Sequence, residues 1–390
     1  MRTRRREYIG LCLLGFLTSL GFFAVHPILP LYVKQLGVSY GEIGYFFSAY
    51  SFVWVFLQIY AGHLSDRYGR KKFILVGLLM YACFAFLCFR AQTFLELLLF
   101  RMMQGVGLGL FGPASLGLVG SLKEKGKSMA IYRTSEAIGI VLGPILGGFV
   151  GEVRLSYPFL ISMCAGFSAV ASLPLLREKE GVAEAESFWG SVKSILKLKG
   201  FLYICVAAFI AELCFASFDI VIPIVGSQIG FSARKIGVLI ASYFAAFSLF
   251  QIPIGMLSEK ASKKKLIVVS AAISSMGFLA LVVSRTFWPM IFAMALLGIT
   301  LGAVFVQSTA LIAEIAPKGK KSLCLAFFDS IIDVSFVVMP PVVGWILFSG
   351  VKSPFILCVV LMITSAIVFS RSGEMKSRES DVIDRRLREG

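Results

Sequence analysis

Charge is scarce in this chain, and histidine scarcer still. Only 15% of the 390 residues are Asp, Glu, Lys or Arg, and two are His. Soluble domains carry about 25% charge, so an ordinary water-facing surface is excluded. The eight cysteines form no CxxC pair and none has a histidine nearby. A zinc site and a disulfide framework are therefore not implied, and each cysteine reads as a small hydrophobe inside an apolar run. There is no HExxH, no GxSxG and no Walker sequence, so neither an embedded hydrolase nor an ATPase is supported. Acids are fewer than bases, 22 against 38, leaving a net charge of +16. What is abundant is apolar: 58% of residues are hydrophobic, with 36 Phe and 37 Gly, and the mean hydropathy is +0.86. This is the composition of an all-α membrane protein that crosses the bilayer many times.

A membrane-crossing helix needs roughly 20 mainly apolar residues. Twelve stretches meet that length, at 8–33, 44–62, 73–90, 94–120, 129–151, 156–176, 201–225, 236–257, 266–284, 287–312, 322–347 and 353–370. The basic start Met1–Arg6 mimics a signal peptide, but the apolar run continues to Val33 without a small-residue cleavage site, so it reads as a first span. With the N-terminus inside, 29 of the 38 Lys/Arg fall on cytoplasmic segments, seven on outer loops, and only Arg101 and Arg133 within spans. That bias predicts both termini in the cytoplasm of a plasma-membrane protein. It also accounts for the positive charge without nucleic acid.

The predicted organisation is a six-helix bundle over 1–176, a cytoplasmic linker over 177–200, a second six-helix bundle over 201–370 and a charged tail over 371–390. In the linker, Phe188, Trp189, Val192, Ile195 and Leu196 recur at helical spacing, as in a helix lying on the membrane surface; a solvated linker is the alternative.

The two bundles are copies. At an offset of 193, Pro30 falls on Pro223, Gln35 on Gln228, Gly37 on Gly230, Gly44 on Gly237, Gln58 on Gln251 and Gly105 on Gly298. Shared apolar composition does not align Gly, Pro and Gln without a gap, so the chain is a duplication of one six-helix unit. Between spans 2 and 3 lies the basic turn Gly62-His63-Leu64-Ser65-Asp66-Arg67-Tyr68-Gly69-Arg70-Lys71. A degraded copy follows at Gly255 to Lys265.

With twelve spans and the duplication, this turn resembles the signature of the major facilitator superfamily, over essentially the whole chain. Two further stretches resemble motifs of that family. Arg101 to Gly107 is similar to its helix 4 motif, in which a cavity arginine is linked to proton movement. Gly139-Ile140-Val141-Leu142-Gly143-Pro144-Ile145-Leu146-Gly147-Gly148 is similar to the helix 5 motif typical of its antiporters. A weak echo, Pro340-Pro341-Val342-Val343-Gly344, occurs in the second half at an offset of 197. The resemblance implies two pseudo-symmetric bundles working by alternating access, as a monomer. It also implies a cavity lined by spans 1, 4, 7 and 10. Gly62, Asp66, Arg67, Gly69 and Arg70 would form a latch, with Gly62 letting span 2 approach span 11 on the cytoplasmic side and Asp66 near the positive end of span 11.

A charge at mid-span costs about 2.5–3.5 kcal/mol on insertion scales, so each one needs a partner, water or a function. The ionisable groups of the spans are His26, Arg101, Arg133, Glu136, Glu212, Asp219, Asp329 and Asp333. Glu212 and Asp219, two turns apart, share a helix face, as do Asp329 and Asp333; Arg133 and Glu136 stand i,i+3 and could pair. Helix-locking ion pairs are one reading of these groups. The other is proton coupling, since carboxyl groups withdrawn from water exchange protons nearer neutral pH; its candidates are Glu212, Asp219, Asp333, Glu136 and Arg101. Drug antiporters of the resembled family often carry an acid in helix 1, and this chain has none there, which departs from the pattern for a cationic substrate. His26, Phe22, Tyr50, Trp54, Gln104 and Phe215 are the candidates for the substrate cavity, with Phe23, Phe111 and Phe218 as further candidates for its aromatic lining.

The expected function is export of a small organic or drug-like compound, with no cofactor or metal and with the proton gradient as the energy source. A sugar or metabolite symporter or uniporter of the same fold, and a non-transporting receptor or scaffold, are the alternatives.

Overall fold

The computed structural model describes residues 2–122, 124–176, 195–196, 198, 200–317 and 321–371. The expected surface helix at 188–196 and the tail beyond Arg371 fall almost wholly outside the described residues. Among those described, all regular structure is helical, and twelve helices or helix pairs are long and apolar enough to cross a membrane. The first half contains α1 (Arg2–Val25), α2 (Leu29–Gln35), α3 (Tyr40–Tyr68), α4 (Arg70–Arg90), α5 (Phe94–Gly120), α6 (Lys125–Val153) and α7 (Pro158–Val170). The second contains α8 (Phe201–Ala216), α9 (Phe218–Gln228), α10 (Ala233–Lys260), α11 (Lys263–Val283), α12 (Phe287–Ile315), α13 (Lys321–Asp333), α14 (Ser335–Ile346) and α15 (Ser353–Arg371).

Helix limits follow caps more than hydropathy. Span 2, expected at 44–62, begins at Tyr40, because Ser39 and Glu42 form a reciprocal capping box in which the Glu42 N–H donates to Ser39 Oγ at 3.3 Å and the Ser39 N–H donates to Glu42 Oε2 at 2.7 Å. It ends only at Gly69, whose φ of +104° needs a residue without a side chain. The equivalent Ser262 has φ −61°, so the second copy of the basic turn takes a different backbone path.

Spans 1, 7 and 11 are each broken into two helices, near Val25–Leu29, Ser217 and Val334. A proline follows each break: Pro30, Pro223 and Pro340. Pro223 and Pro340 lack an N–H inside their helices and each removes one helix bond, whereas Pro30 stands in the first turn of α2, where that N–H would have no helical partner. The breaks in spans 1 and 7 fall close to the same position of the repeat.

Twelve crossings put Arg5 and Arg371 on one face, called here the terminal face. On the opposite face the halves touch through α3 with α14 and α6 with α10. A methyl group at Gly344 would lie 2.6 Å from Tyr40 O and 3.1 Å from Gly44 Cα. One at Gly148 would lie 2.6 Å from Ala233 O and 3.1 Å from Gly237 Cα. The prolines complete each crossing, with the carbonyls of Pro340 and Pro144 against Gly44 and Gly237. The echo of the helix 5 motif in the second half is therefore structural: both copies make the same close helix crossing. Small residues provide such contacts where lipid supplies no hydrophobic driving force. Gly139 and Gly143 serve a different contact, inside the first half, where the backbone of α1 at Phe16 to Ala24 runs along them; Gly147 meets the Ala24 carbonyl.

At the end of α11 on the face opposite the termini, Lys352 Nζ donates to the carbonyls of Val282 and Ser284, each at 2.7 Å. Partial burial, and then Arg285 nearby, push its ammonium pKa below the usual lysine value.

Candidate functional site

Between the halves lies a cavity of about 680 Å³. Its wall runs from Phe22 and Phe23 at mid-span to Leu116 and Leu323 near the terminal face. A second cavity of about 190 Å³ adjoins it, sharing Phe23 and Ile140, and is lined by Glu212, Phe215, Tyr243, Phe244 and Phe247.

Acids dominate the charged part of these walls. Asp333 on α13 accepts a hydrogen bond from Gln58 Nε2 on α3 at 2.7 Å, which ties the halves together. Asp329, one turn away, is exposed to the main cavity and makes no hydrogen bond or ion pair among the described residues. The expected Arg133–Glu136 pair is present at 3.0 Å and lies on the same wall. Glu136 therefore has its counter-charge within its own helix. Glu212 faces the rings of the smaller cavity and likewise has no hydrogen bond or ion pair among the described residues.

Arg101 departs from expectation. Only 3% exposed, it lies behind the cavity wall rather than in it. Its Nη1 donates to Gln104 Oε1 at 2.5 Å, and its guanidinium sits 4.2 Å from the Tyr50 ring centroid and 5.9 Å from that of Phe159. Aromatic faces, not a carboxylate, balance this cation among the described residues, and its Nε has no hydrogen-bond partner among them. The cause is close packing of α5 on α3, where a methyl at Gly105 would lie 3.1 Å from Tyr50 O.

Four of the expected cavity residues, Tyr50, Gln104, Trp54 and His26, line neither cavity. Tyr50 and Gln104 are buried in this first-half cluster, and Trp54 packs on Phe336 at 5.9 Å across the halves. Phe22 lines the large cavity and Phe215 the small one, as expected. His26 sits just beyond Phe22 and Phe23, where its Nδ1 lies 2.8 Å from Asp219 Oδ1. Sequence reasoning overlooked Gln58, Tyr243 and Phe244 as lining or bridging residues. The first had a signal, since Gln58 is a polar residue in a span with a repeat partner, Gln251.

The latch contacts seen among the described residues lie within the first half. Arg70 Nε donates to Asp66 Oδ1 at 2.7 Å, and the Arg70 side chain lies against Gly117 of α5. Arg67 stacks on Tyr68, 5.5 Å from the ring centroid. Gly62 borders the main cavity and approaches only Pro113, at 3.5 Å from its would-be methyl, not span 11. The close approach of spans 2 and 11 is instead at the opposite face, because the cavity separates the halves on this one.

A family model described as Major Facilitator Superfamily matches residues 11–210 and again 204–384. The quinolone resistance protein NorA of Staphylococcus aureus (strain MSSA476) is 25% identical over 244 residues, which is 61% of this chain and 63% of NorA. Multidrug resistance protein 1 of Bacillus subtilis (strain 168) is 27% identical over 232 residues, 58% of this chain and 60% of that protein. The chain thus matches a little under two thirds of the length of each. Among solved structures, a bacterial homologue of the human lysosomal transporter Spinster, inward-facing and unoccupied, superposes with a TM-score of 0.81 at 14% identity, covering 94% of this chain and 96% of that one. The nucleoside transporter NupG, in a point-mutant form, superposes with a TM-score of 0.79 at 12% identity, covering 94% of this chain and all (100%) of that one.

Proposed function

This chain belongs to the major facilitator superfamily, and from that premise we propose that it is a proton-coupled antiporter exporting small amphipathic, positively charged organic compounds. The observation that carries this is the cavity wall itself: Glu212, Asp329 and Asp333 face the space between the halves, and none has a cation bound to it among the described residues. Rings and carboxyl groups in one cavity suit a cation with an apolar body. Acids beside Phe215 and Tyr243 supply in span 7 what span 1 lacks. The names of the quinolone and multidrug resistance proteins agree with export, and the antiporter-like motif at Gly139–Gly148 points the same way. In this proposal both termini lie in the cytoplasm, the protein is a monomer in the plasma membrane, and the cavity faces the cytoplasm in the conformation described.

A substrate panel in proteoliposomes, with and without an imposed pH gradient, tests the proposal. Lipophilic cations should accumulate only with the gradient, and substrate should drive proton flux in return. Accumulation of sugars in its place, or flux indifferent to the gradient, would show a symporter or uniporter. No flux of any kind would leave a scaffold.

The latch is part of the same proposal. Asp66 binds Arg70 here and would turn to span 11 when the terminal face closes. Asp66→Asn is expected to lower the transport rate at least about tenfold, the size of a lost charged hydrogen bond, with substrate affinity within a factor of about two. An unchanged rate would reduce Asp66 to a topology signal.

A further inference from the structure

The most buried acid–base contact between the halves is the bond from His26 to Asp219. Its partners stand at the same position of the two repeats, 193 residues apart, and meet at 2.8 Å with side chains only 12% and 13% exposed. Equal repeat positions touch only beside the axis that relates the halves. His26 lies in the break of span 1, and Asp219 in the first turn of α9 just after the break of span 7. Beyond them the outer segments α2 and α9 pack on one another.

Below them is the cavity roof. The imidazole is held between Phe22 and Phe23, with ring centroids at 4.7 and 4.8 Å, and Phe23 packs edge-on against Phe244 at 4.8 Å while lining both cavities. Other polar contacts between the halves accompany the pair toward the opposite face. Ser48 Oγ donates to Val337 O at 2.7 Å, Gln228 Nε2 to Tyr40 Oη at 3.1 Å, and Arg234 pairs with Glu152 at 2.9 Å. The Arg234–Glu152 pair is far more exposed, at 53% and 36%, where an ion pair contributes little.

We propose that His26 and Asp219 are gating residues of the transport cycle, a cross-repeat lock that holds the face opposite the termini closed and parts when the cavity opens to that face. The lock rests on alternating access between the halves. It acts by positioning the two outer segments, and it assigns Asp219 to the gate and not to proton carriage.

The test uses the full chain in nanodiscs with its native cysteines replaced and spin labels at Arg90→Cys and Arg285→Cys, exposed sites at the end of α4 and just beyond α11 on the closed face. Electron–electron distance distributions report opening directly. His26→Leu and Asp219→Leu should each raise the open-to-closed ratio roughly ten- to hundredfold, the range for a hydrogen bond to a charged group. His26→Gln, which retains a donor, should stay closed and serves as the folding control. The decisive variant exchanges the residues, His26→Asp with Asp219→His. Because the positions are equivalent, the exchange should restore the closed population, whereas His26→Asp or Asp219→His alone opens the face. Unchanged distances in the leucine variants, or an exchange no more closed than its single members, would overturn the lock. Substrate flux through the unaltered protein is measured alongside. Flux with unmoved distances removes the lock alone; no flux removes alternating access and the lock with it.

Discussion

Glu212→Gln is expected to abolish proton-driven accumulation of substrate, bringing it to the level of empty liposomes, while passive exchange of substrate down its own gradient continues. The reason lies in the surroundings of the carboxyl group. Glu212 faces Phe215, Tyr243, Phe244 and Phe247 in a cavity of about 190 Å³ that adjoins the main one, with no hydrogen bond or ion pair among the described residues. A bare carboxylate is among the costliest groups to withdraw from water. In such a place it is neutralised in one of two ways, by a proton or by a bound cation. Competition between the two at one group is the thermodynamic content of antiport, since each ligand then expels the other. Glutamine keeps the shape and polarity but binds neither, so coupling should vanish before transport does. Asp333→Asn is the informative comparison, because Asp333 already accepts a bond from Gln58, which the amide oxygen of Asn can keep while the titratable proton is removed. Accumulation by Glu212→Gln at the unaltered rate would move proton carriage elsewhere, first to Asp329 or Asp333.

Gly44→Val and Gly237→Val are expected to prevent the face opposite the termini from closing. Each side chain would be driven into a backbone of the other half: into Pro340 O and Pro341 Cα for Gly44, and into Pro144 O and Gly148 Cα for Gly237. Backbone at a helix crossing cannot swing aside as a flexible side chain can. Overpacking of this kind costs about 1–3 kcal/mol, roughly a five- to 150-fold shift away from the closed state. Transport should fall in proportion, and distances between labels at Arg90→Cys and Arg285→Cys should lengthen. Gly62→Ala, in the same helix as Gly44, is the control. Its methyl would meet only Pro113 at 3.5 Å, an ordinary contact, so the distribution should stay put. Closed distances in both valine variants would show that the crossings yield more easily than their geometry suggests.

Particular residues show how far the chain could be read in advance. The Arg133–Glu136 pair was legible because partners three apart on one helix face each other whatever the tertiary fold. Phe22 and Phe215 were legible as cavity residues through the spans that carry them. Tyr50, Trp54 and Gln104 were not, since a polar or aromatic residue in a cavity-forming helix can equally face its own bundle, and the tight α3–α5 packing turns Tyr50 and Gln104 toward Arg101. The approach of Gly62 to span 11 is expected when the terminal face is closed, and here the cavity separates the halves on that face. The basic turn says nothing about which face is open.

Twelve spans, their duplication and the bias of positive charge needed nothing beyond the order of residues, because hydropathy, capping and repeat spacing act within a few turns of chain. Docking of the two halves was required for everything that joins them. It brought His26 to Asp219 and Gln58 to Asp333, set Gly44 and Gly237 against proline carbonyls, and left Glu212 without a partner among the described residues. Those contacts join residues far apart in the chain, 193 positions for His26 and Asp219 and 275 for Gln58 and Asp333. They depend on how two rigid bundles settle against each other, which no local pattern encodes.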